Sequence, residues 1–174
     1  MTKTLGQRIM IIGCSGAGKS TLSRKLGERT GLPVLHLDQH YWHAGWIESD
    51  KSSWEKVTDE LIAGEQWIID GNYGGTMDKR IERADTIIFL DYSTLTCLTS
   101  ATKRILTHYG KTRPDMTEGC PERFDAQFYH YMFMYRWKRR PGILRKLAAV
   151  QIHKRVHIFP NRRATQRFLS NMHP

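Results

Sequence analysis

The residues with the clearest chemistry stand near the start of the chain. Gly13-Cys14-Ser15-Gly16-Ala17-Gly18-Lys19-Ser20 fits the pattern G-x-x-x-x-G-K-[ST] without a mismatch. Such a run makes an anion cradle. Its glycines let successive backbone N–H groups turn inward, and the helix that continues through Thr21 points its positive end at the same place. In this pattern Lys19 supplies a mobile point charge for the β and γ phosphates of a nucleotide, and Ser20 a hydroxyl for Mg²⁺. Cys14 reads as a small filler, because no partner base is spaced to activate it.

Three carboxylates follow short apolar runs. Asp70 closes Trp67-Ile68-Ile69-Asp70, a natural position for an acid that orients magnesium and its water. Asp91, after Phe89-Leu90, reads more simply as a cap or turn former. Asp38 lies in His36-Leu37-Asp38-Gln39-His40-Tyr41-Trp42, where it could take the proton of an attacking hydroxyl. Tyr41 and Trp42 beside it could stack on a planar substrate. The plainer alternative is a capping acid among core aromatics. His36, His40 and His43 recur at three- and four-residue spacing, but strand and loop geometry would hold them apart, so a histidine metal site is not expected.

Those residues need a frame to bring them together. Apolar, β-branched runs predict strands at 7–12, 33–37, 66–69, 86–90 and 155–159. Helical spacing predicts helices at 21–30, 53–64, 77–83, 94–109 and 161–169, and one long helix over 124–150 kinked at Pro141-Gly142. Its residues Phe124, Phe128, Tyr131 and Tyr135 would share a face. Residues 40–46 read as irregular, and 110–123 (GKTRPDMTEGCPER) as a loop or small lid. Short apolar strands alternating with helices predict an α/β protein with a five-stranded parallel sheet flanked by helices; with the phosphate-loop motif this is expected to be a three-layer P-loop NTPase fold with a small lid. One domain over 1–174 is expected, with the lid at about 110–123 and the acceptor-binding segment at about 38–64. Ligands of such sheets bind beyond the carboxyl ends of the strands, where the residues above fall.

The chain has 174 residues, 27 Lys+Arg against 17 Asp+Glu, and a formal net charge of +10. At 40% hydrophobic and 25% charged, collagen, coiled coil and bulk disorder are excluded as classes. No apolar run approaches the roughly 20 residues of a membrane helix, and Ile9–Ile12 is too short for a leader's core, so no membrane association is expected. Three cysteines (Cys14, Cys97, Cys120) at unrelated spacings predict no disulfide framework and a reducing cytoplasm. The basic excess is concentrated: residues 126–174 carry 11 Lys+Arg and no acid. That field suits a polyanion, either a nucleotide's phosphates or a nucleic acid, and a solvated helix face is the plain alternative.

Together GCSGAGKS, HLDQHYW, WIIDGNY, IIFLDYS and GCPERFD resemble the small P-loop kinases of the adenylate and nucleoside kinase type, and within them the DNA topology modulation proteins. The resemblance spans nearly the whole chain and implies several roles. Asp70 would hold magnesium together with Ser20. Arg104 looks like the arginine that packs on the ATP base. Arg113, Arg123 and Arg136 are similar to lid and post-lid arginines that close on the transferring group. Asn161 and Arg162 fall where such folds receive adenine. Adenylate kinases follow their aspartate with Gly-Phe-Pro-Arg, whose arginine holds a monophosphate. Here Gly71-Asn72-Tyr73-Gly74 has no arginine. LDQHY instead resembles the acceptor segment of uridine-kinase-like enzymes, which implies an uncharged acceptor alcohol, with a nucleoside as one candidate. Asp38, Tyr41, Trp42, Asn72 and Tyr73 would meet it.

The leading expectation is therefore a kinase that uses ATP and Mg²⁺. Gly13, Ser15, Gly16, Ala17, Gly18, Lys19, Ser20, Thr21, Arg104, Arg136 and Asn161 would bind the nucleotide, and Lys19, Asp38, Arg113 and Arg123 would act in transfer. Two other readings stay open: a nucleotide-regulated nucleic-acid-binding protein using the basic C-terminal third, and an ATPase without an acceptor. Nothing in the chain sets an oligomeric state.

Overall fold

The computed structural model describes residues 5–172. In chain order these form β1 (Arg8–Gly13), α1 (Lys19–Thr30), β2 (Val34–His36), α2 (Leu37–Tyr41), β3 (Trp42–His43), β4 (Ile47–Glu48), α3 (Lys51–Ala63) and β5 (Trp67–Asp70). A 3-10 turn (Gly74–Thr76) leads to α4 (Met77–Arg83), β6 (Thr86–Leu90), α5 (Thr94–His108), α6 (Ala126–Lys138), α7 (Arg140–Val150), β7 (Arg155–Phe159) and α8 (Arg162–Ser170). Five strands make one sheet in the order β2-β5-β1-β6-β7, every pair parallel. Helices flank it, as the alternating pattern predicts.

The central strands are continuous apolar runs because both faces of a parallel sheet are covered. Ile9, Met10, Ile11, Ile12, Ile68, Ile69, Ile87, Ile88 and Phe89 are fully buried. From β1 the chain goes outward to β2, returns to β5, and crosses to β6 on the other side of β1. That reversal opens a crevice at the carboxyl end of β1. Register then sets what faces it: His36 and Ile11 both lie beside Asp70, and Gly13 lies beside Leu90. The helix after β1 stops at Gly31, whose left-handed φ of 72° lets its N–H reach the Gly27 carbonyl at 2.8 Å.

Two expectations need correction. Residues 40–46 are not irregular: Leu37–Tyr41 is helical, and β3 and β4 pair as an antiparallel hairpin. A five-residue helix and two-residue strands are too short to show a period in sequence. The long helix over 124–150 is two helices. Arg139 (φ −108°, ψ −46°) separates α6 from α7, and Pro141 sits in the first turn of α7, where its missing N–H costs nothing. Phe124 lies before α6, because Asp125 caps that helix by accepting from the N–H groups of Gln127 and Phe128.

Residues 110–123 are docked rather than projecting. The Gly110 N–H donates to the Glu122 carbonyl at 2.9 Å, and the Glu122 N–H to that of Lys111 at 3.0 Å, which ties the ends together. The tip meets the β3–β4 hairpin, where the Gly45 N–H donates to the Gly119 carbonyl at 2.8 Å and the Trp46 indole to that of Pro121 at 3.0 Å. Among the described residues no helix is long and apolar enough to cross a membrane.

Candidate active site

At the end of β1 the chain turns tightly enough that only glycine fits. Gly16 has φ 79°, and a Cβ there would stand 2.2 Å from the Cys97 carbonyl of α5. The loop is thus pressed against α5 and aimed at the start of α1. Lys19, the first residue of α1, curls back and donates to the carbonyls of Gly13 at 3.0 Å and Cys14 at 3.3 Å. Cys14 is buried, and the neighbouring Cys97 thiol together with burial pushes its thiol far above the usual range, which fits a filler rather than a nucleophile.

A hollow of about 330 Å³ opens over this loop. Ser15, Gly16, Gly18, Lys19, Ser20 and Thr21 floor it, and Asp38 of α2 stands at one side. Arg104 and Ser100 of α5, Arg113 and Asp115 of the docked loop, and Arg162 of α8 close the others. A wider depression of about 450 Å³ on the outer face of α5 has Lys103 as its one charged lining residue and no acid.

Asp70, at the end of β5, is buried beneath Ser20. Its Oδ1 accepts from the Ser20 hydroxyl at 3.4 Å. Its Oδ2 accepts from the Ser23 hydroxyl and lies 2.6 Å from His36 Nδ1. Burial alone would lower His36, but the hydrogen bond and charge of Asp70 outweigh it and raise the imidazole above its ordinary value. Among the described residues no trio of His, Cys, Asp or Glu is arranged to hold a metal.

Asp38 is partly buried, and its Oδ1 accepts from the Tyr73 hydroxyl at 2.6 Å. Burial raises Asp38 above the usual carboxylate value; the Tyr73 hydrogen bond and Lys19 oppose the rise without cancelling it. Tyr73 has an unusual positive φ of 35°. Arg80, fully buried, holds that segment by donating to the carbonyls of Gly71 at 2.9 Å, Asn72, and Tyr73 at 2.9 Å. Burial pushes Arg80 down to about 9.

The arginines facing the hollow are matched by acids. Buried Glu122 pairs with Arg104 at 3.1 Å and with Arg113, which also holds Asp115. Burial favours the protonated form of Asp115, yet Arg113 and the Ser20 hydroxyl hold its carboxyl below the usual range.

Other expected site residues face elsewhere. Asn72 braces the phosphate loop: its Oδ1 accepts from the Gly13 N–H at 3.1 Å, and its Nδ2 donates to the Gly13 carbonyl at 2.8 Å and to Tyr131 at 3.1 Å. Tyr41 meets Trp42 and Trp54 edge to face and Tyr73 at a tilt, and its hydroxyl donates to Glu48, so these rings pack against one another. Arg123 lies over Trp46 and near Asp125. Arg136 is exposed on α6, and Asn161 caps α8 by accepting from the Ala164 N–H at 2.9 Å. Asp91 pairs bidentately with Arg140, both bonds 2.7 Å, a structural tie between the end of β6 and α7. The motif search missed Arg80, Glu122, Asp115 and Ser23. Glu122 alone had a signal, because it stands inside GCPERFD.

No protein-family profile and no curated protein sequence matches this chain. Solved structures do match in fold. A shikimate kinase from Acinetobacter baumannii in complex with shikimate gives a TM-score of 0.60 at 16% identity, covering 97% of this chain and 90% of that one. A gluconokinase from Sinorhizobium meliloti 1021 gives 0.54 at 14% identity, covering 97% and 94%. A shikimate kinase from Bacteroides thetaiotaomicron gives 0.51 at 17%, covering 94% of each. The chain therefore has the α/β fold of P-loop kinases, with a five-stranded parallel sheet flanked by helices. The narrower resemblance to topology modulation proteins is not shown by any of these comparisons.

Proposed function

We propose that the chain is an ATP-dependent kinase that transfers the γ-phosphoryl group of Mg·ATP to the hydroxyl of a small acceptor, with a nucleoside as one candidate. One observation carries the reading: the phosphate loop with Lys19 and the carboxylate of Asp38 open into the same hollow. A binding module needs the first and has no use for a base with a raised pKa beside it.

The loop amides of Ser15–Ser20 and the Lys19 ammonium hold the phosphate tail. Arg104 and Arg113 border the same space and offset the charge of the transferring group. Ser20 and Asp70 offer oxygen atoms alone, 3.4 Å apart, which suits a hard divalent cation that keeps most of its waters. Mg²⁺ held by Ser20, with Asp70 fixing its waters, would supply further neutralisation at the β and γ oxygens. Asp38 takes the acceptor's proton. The acceptor oxygen–phosphorus bond forms, the bond to the β-phosphate oxygen breaks, and ADP leaves. Positioning and charge supply most of the rate, as in phosphoryl transfer generally. The cytoplasm suits this activity, since it supplies ATP and keeps the three free thiols reduced.

A screen of nucleosides, sugars and other small alcohols with labelled ATP tests the reading. Transfer is expected to vanish in Lys19→Ala. In Asp38→Asn turnover is expected to fall with ATP affinity nearly intact. Transfer at the wild-type rate in Lys19→Ala would overturn the proposal. Phosphate release at full rate without an acceptor would replace it with an ATPase.

A further inference from the structure

The helix α6 is apolar on two sides. Its inner side, with Met132 and Tyr135, is buried against the core. A surface helix of a globular protein usually turns polar residues outward. Here the outward side carries Phe133 and Trp137, 53% and 59% exposed, one helical turn apart, with ring centroids 5.4 Å from each other. Arg136 lies between them in sequence, and Lys138 and Arg139 follow; all three are exposed and none has an ion pair among the described residues.

The fold occupies part of the basic C-terminal third. Arg140 is taken by Asp91, Lys146 by Asp78, and Lys154 by the carbonyls of Glu82 and Ala84. Arg145, Arg155, Arg163 and Arg167 also lack an ion pair among the described residues, but Arg136, Lys138 and Arg139 are the ones that flank Trp137 in the chain. No acid occurs from residue 126 onward. A second copy of this face would set like charge against like, so self-association through it is disfavoured. Its complement is a polyanion that also offers flat apolar rings. Bases in a duplex hide their faces; bases in a single strand do not.

We propose that the C-terminal end of α6, with the exposed Phe133 and Trp137 as stacking platforms and Arg136, Lys138 and the following Arg139 as phosphate contacts around them, binds single-stranded nucleic acid. This surface is separate from the hollow over the phosphate loop, whose lining includes no residue of α6. Its binding does not require the kinase reading to hold.

The test uses fluorescence anisotropy of a labelled twenty-nucleotide oligothymidylate with the full chain, and a duplex of equal length beside it. Three phosphate contacts predict a salt slope of about −2 in log affinity against log salt, a loss of roughly 20-fold between 50 and 200 mM. Trp137 fluorescence is quenched on binding. Trp137→Ala weakens binding roughly tenfold, and Trp137→Phe restores most of it. Arg136→Gln makes the slope shallower by about 0.7. The substituted side chains are exposed, and unchanged melting temperatures confirm folding. Absence of binding at 50 mM salt overturns the proposal. So does equal affinity for the duplex, an unaltered affinity in Trp137→Ala, or binding to phosphatidylserine vesicles in place of the oligonucleotide.

Discussion

Replacing Asn72 by Ala separates two roles that one residue could have at this site. As an acceptor contact, its loss would raise the acceptor KM and leave the fold alone. As the brace seen here, its loss strikes the phosphate loop. Gly13 is buried, and its N–H donates to Asn72. Orphaning that donor costs about 1–3 kcal/mol. The Gly13 carbonyl keeps Lys19 at 3.0 Å, so losing the Asn72 bond to it costs about 0.5–1.5 kcal/mol. The sum is about 1.5–4.5 kcal/mol, a sizeable part of a total stability of about 5–15 kcal/mol. Urea unfolding reads it directly, and melting should fall by roughly 3–18 °C at about 2–4 °C per kcal/mol for a chain of this size. ATP affinity should fall with it, because Gly13 is the hinge from which the loop turns. Asn72→Asp sharpens the test. It can still accept from the Gly13 N–H but presents a carboxylate to the Gly13 carbonyl, so it should be no better than Ala. A loss below about 0.5 kcal/mol in both variants, with a raised acceptor KM, would refute the brace.

Three further outcomes follow from the same geometry. Asp38 must be ionised to accept a proton, and burial raises its pKa, so the acid limb of kcat/KM should lie above the ordinary carboxylate range. Tyr73→Phe removes a bond that favours the ionised form and should move the limb higher, whereas an unmoved limb would separate it from Asp38. The linked effect on stability has a definite sign. A carboxyl whose folded pKa is raised favours the folded state below its unfolded pKa, and that advantage is lost as pH rises through the folded pKa. Asp38→Asn should therefore unfold at higher urea than wild type at pH 7 while losing turnover; a lower midpoint would contradict this. Glu122→Gln leaves two arginines facing a neutral group and should cost about 3–5 kcal/mol, the range for breaking a buried pair, read by urea unfolding; a change under about 1 kcal/mol would show that Asp115 and solvent compensate.

Sequence made the sheet legible because its central strands are apolar runs that end at glycine or acid, and its edge strand Arg155–Phe159 still alternates β-branched and aromatic residues before Pro160. Thr86–Leu90 and Arg155–Phe159 occur over the span that the pattern predicts, as does the helix Met77–Arg83. The phosphate loop was legible for a related reason: every residue that shapes it is adjacent in sequence. The acceptor side was less so. The helix Leu37–Tyr41 and the hairpin after it are too short for periodicity, and their shape depends on hydrogen bonds that Gln39, Gly45 and Trp46 donate to carbonyls of residues 114–121, some 75 positions away. Arg80 reads as one more charged residue of a short helix. Its burial follows from the carbonyls of residues 71–73 converging on it, which no local pattern encodes.

That long-range dependence bears on how the hollow is walled. The loop 110–123 touches the hairpin through Gly119 and Pro121, α2 through Thr117, and α5 through the pairing of Glu122 with Arg104. Arg113 lies between, tied to Glu122 and Asp115. An incoming triphosphate adds negative charge beside Arg104 and Arg113, which then have two claimants: Glu122 and Asp115 on one side, phosphate oxygens on the other. Glu122 is buried and cannot gain water when its arginines turn away, so releasing both would cost more than sharing them. The fold therefore favours a loop that keeps Glu122 paired and offers phosphate only the outer edges of the guanidinium groups. On the proposed function, nucleotide and acceptor would then meet across a segment already docked beside Asp38.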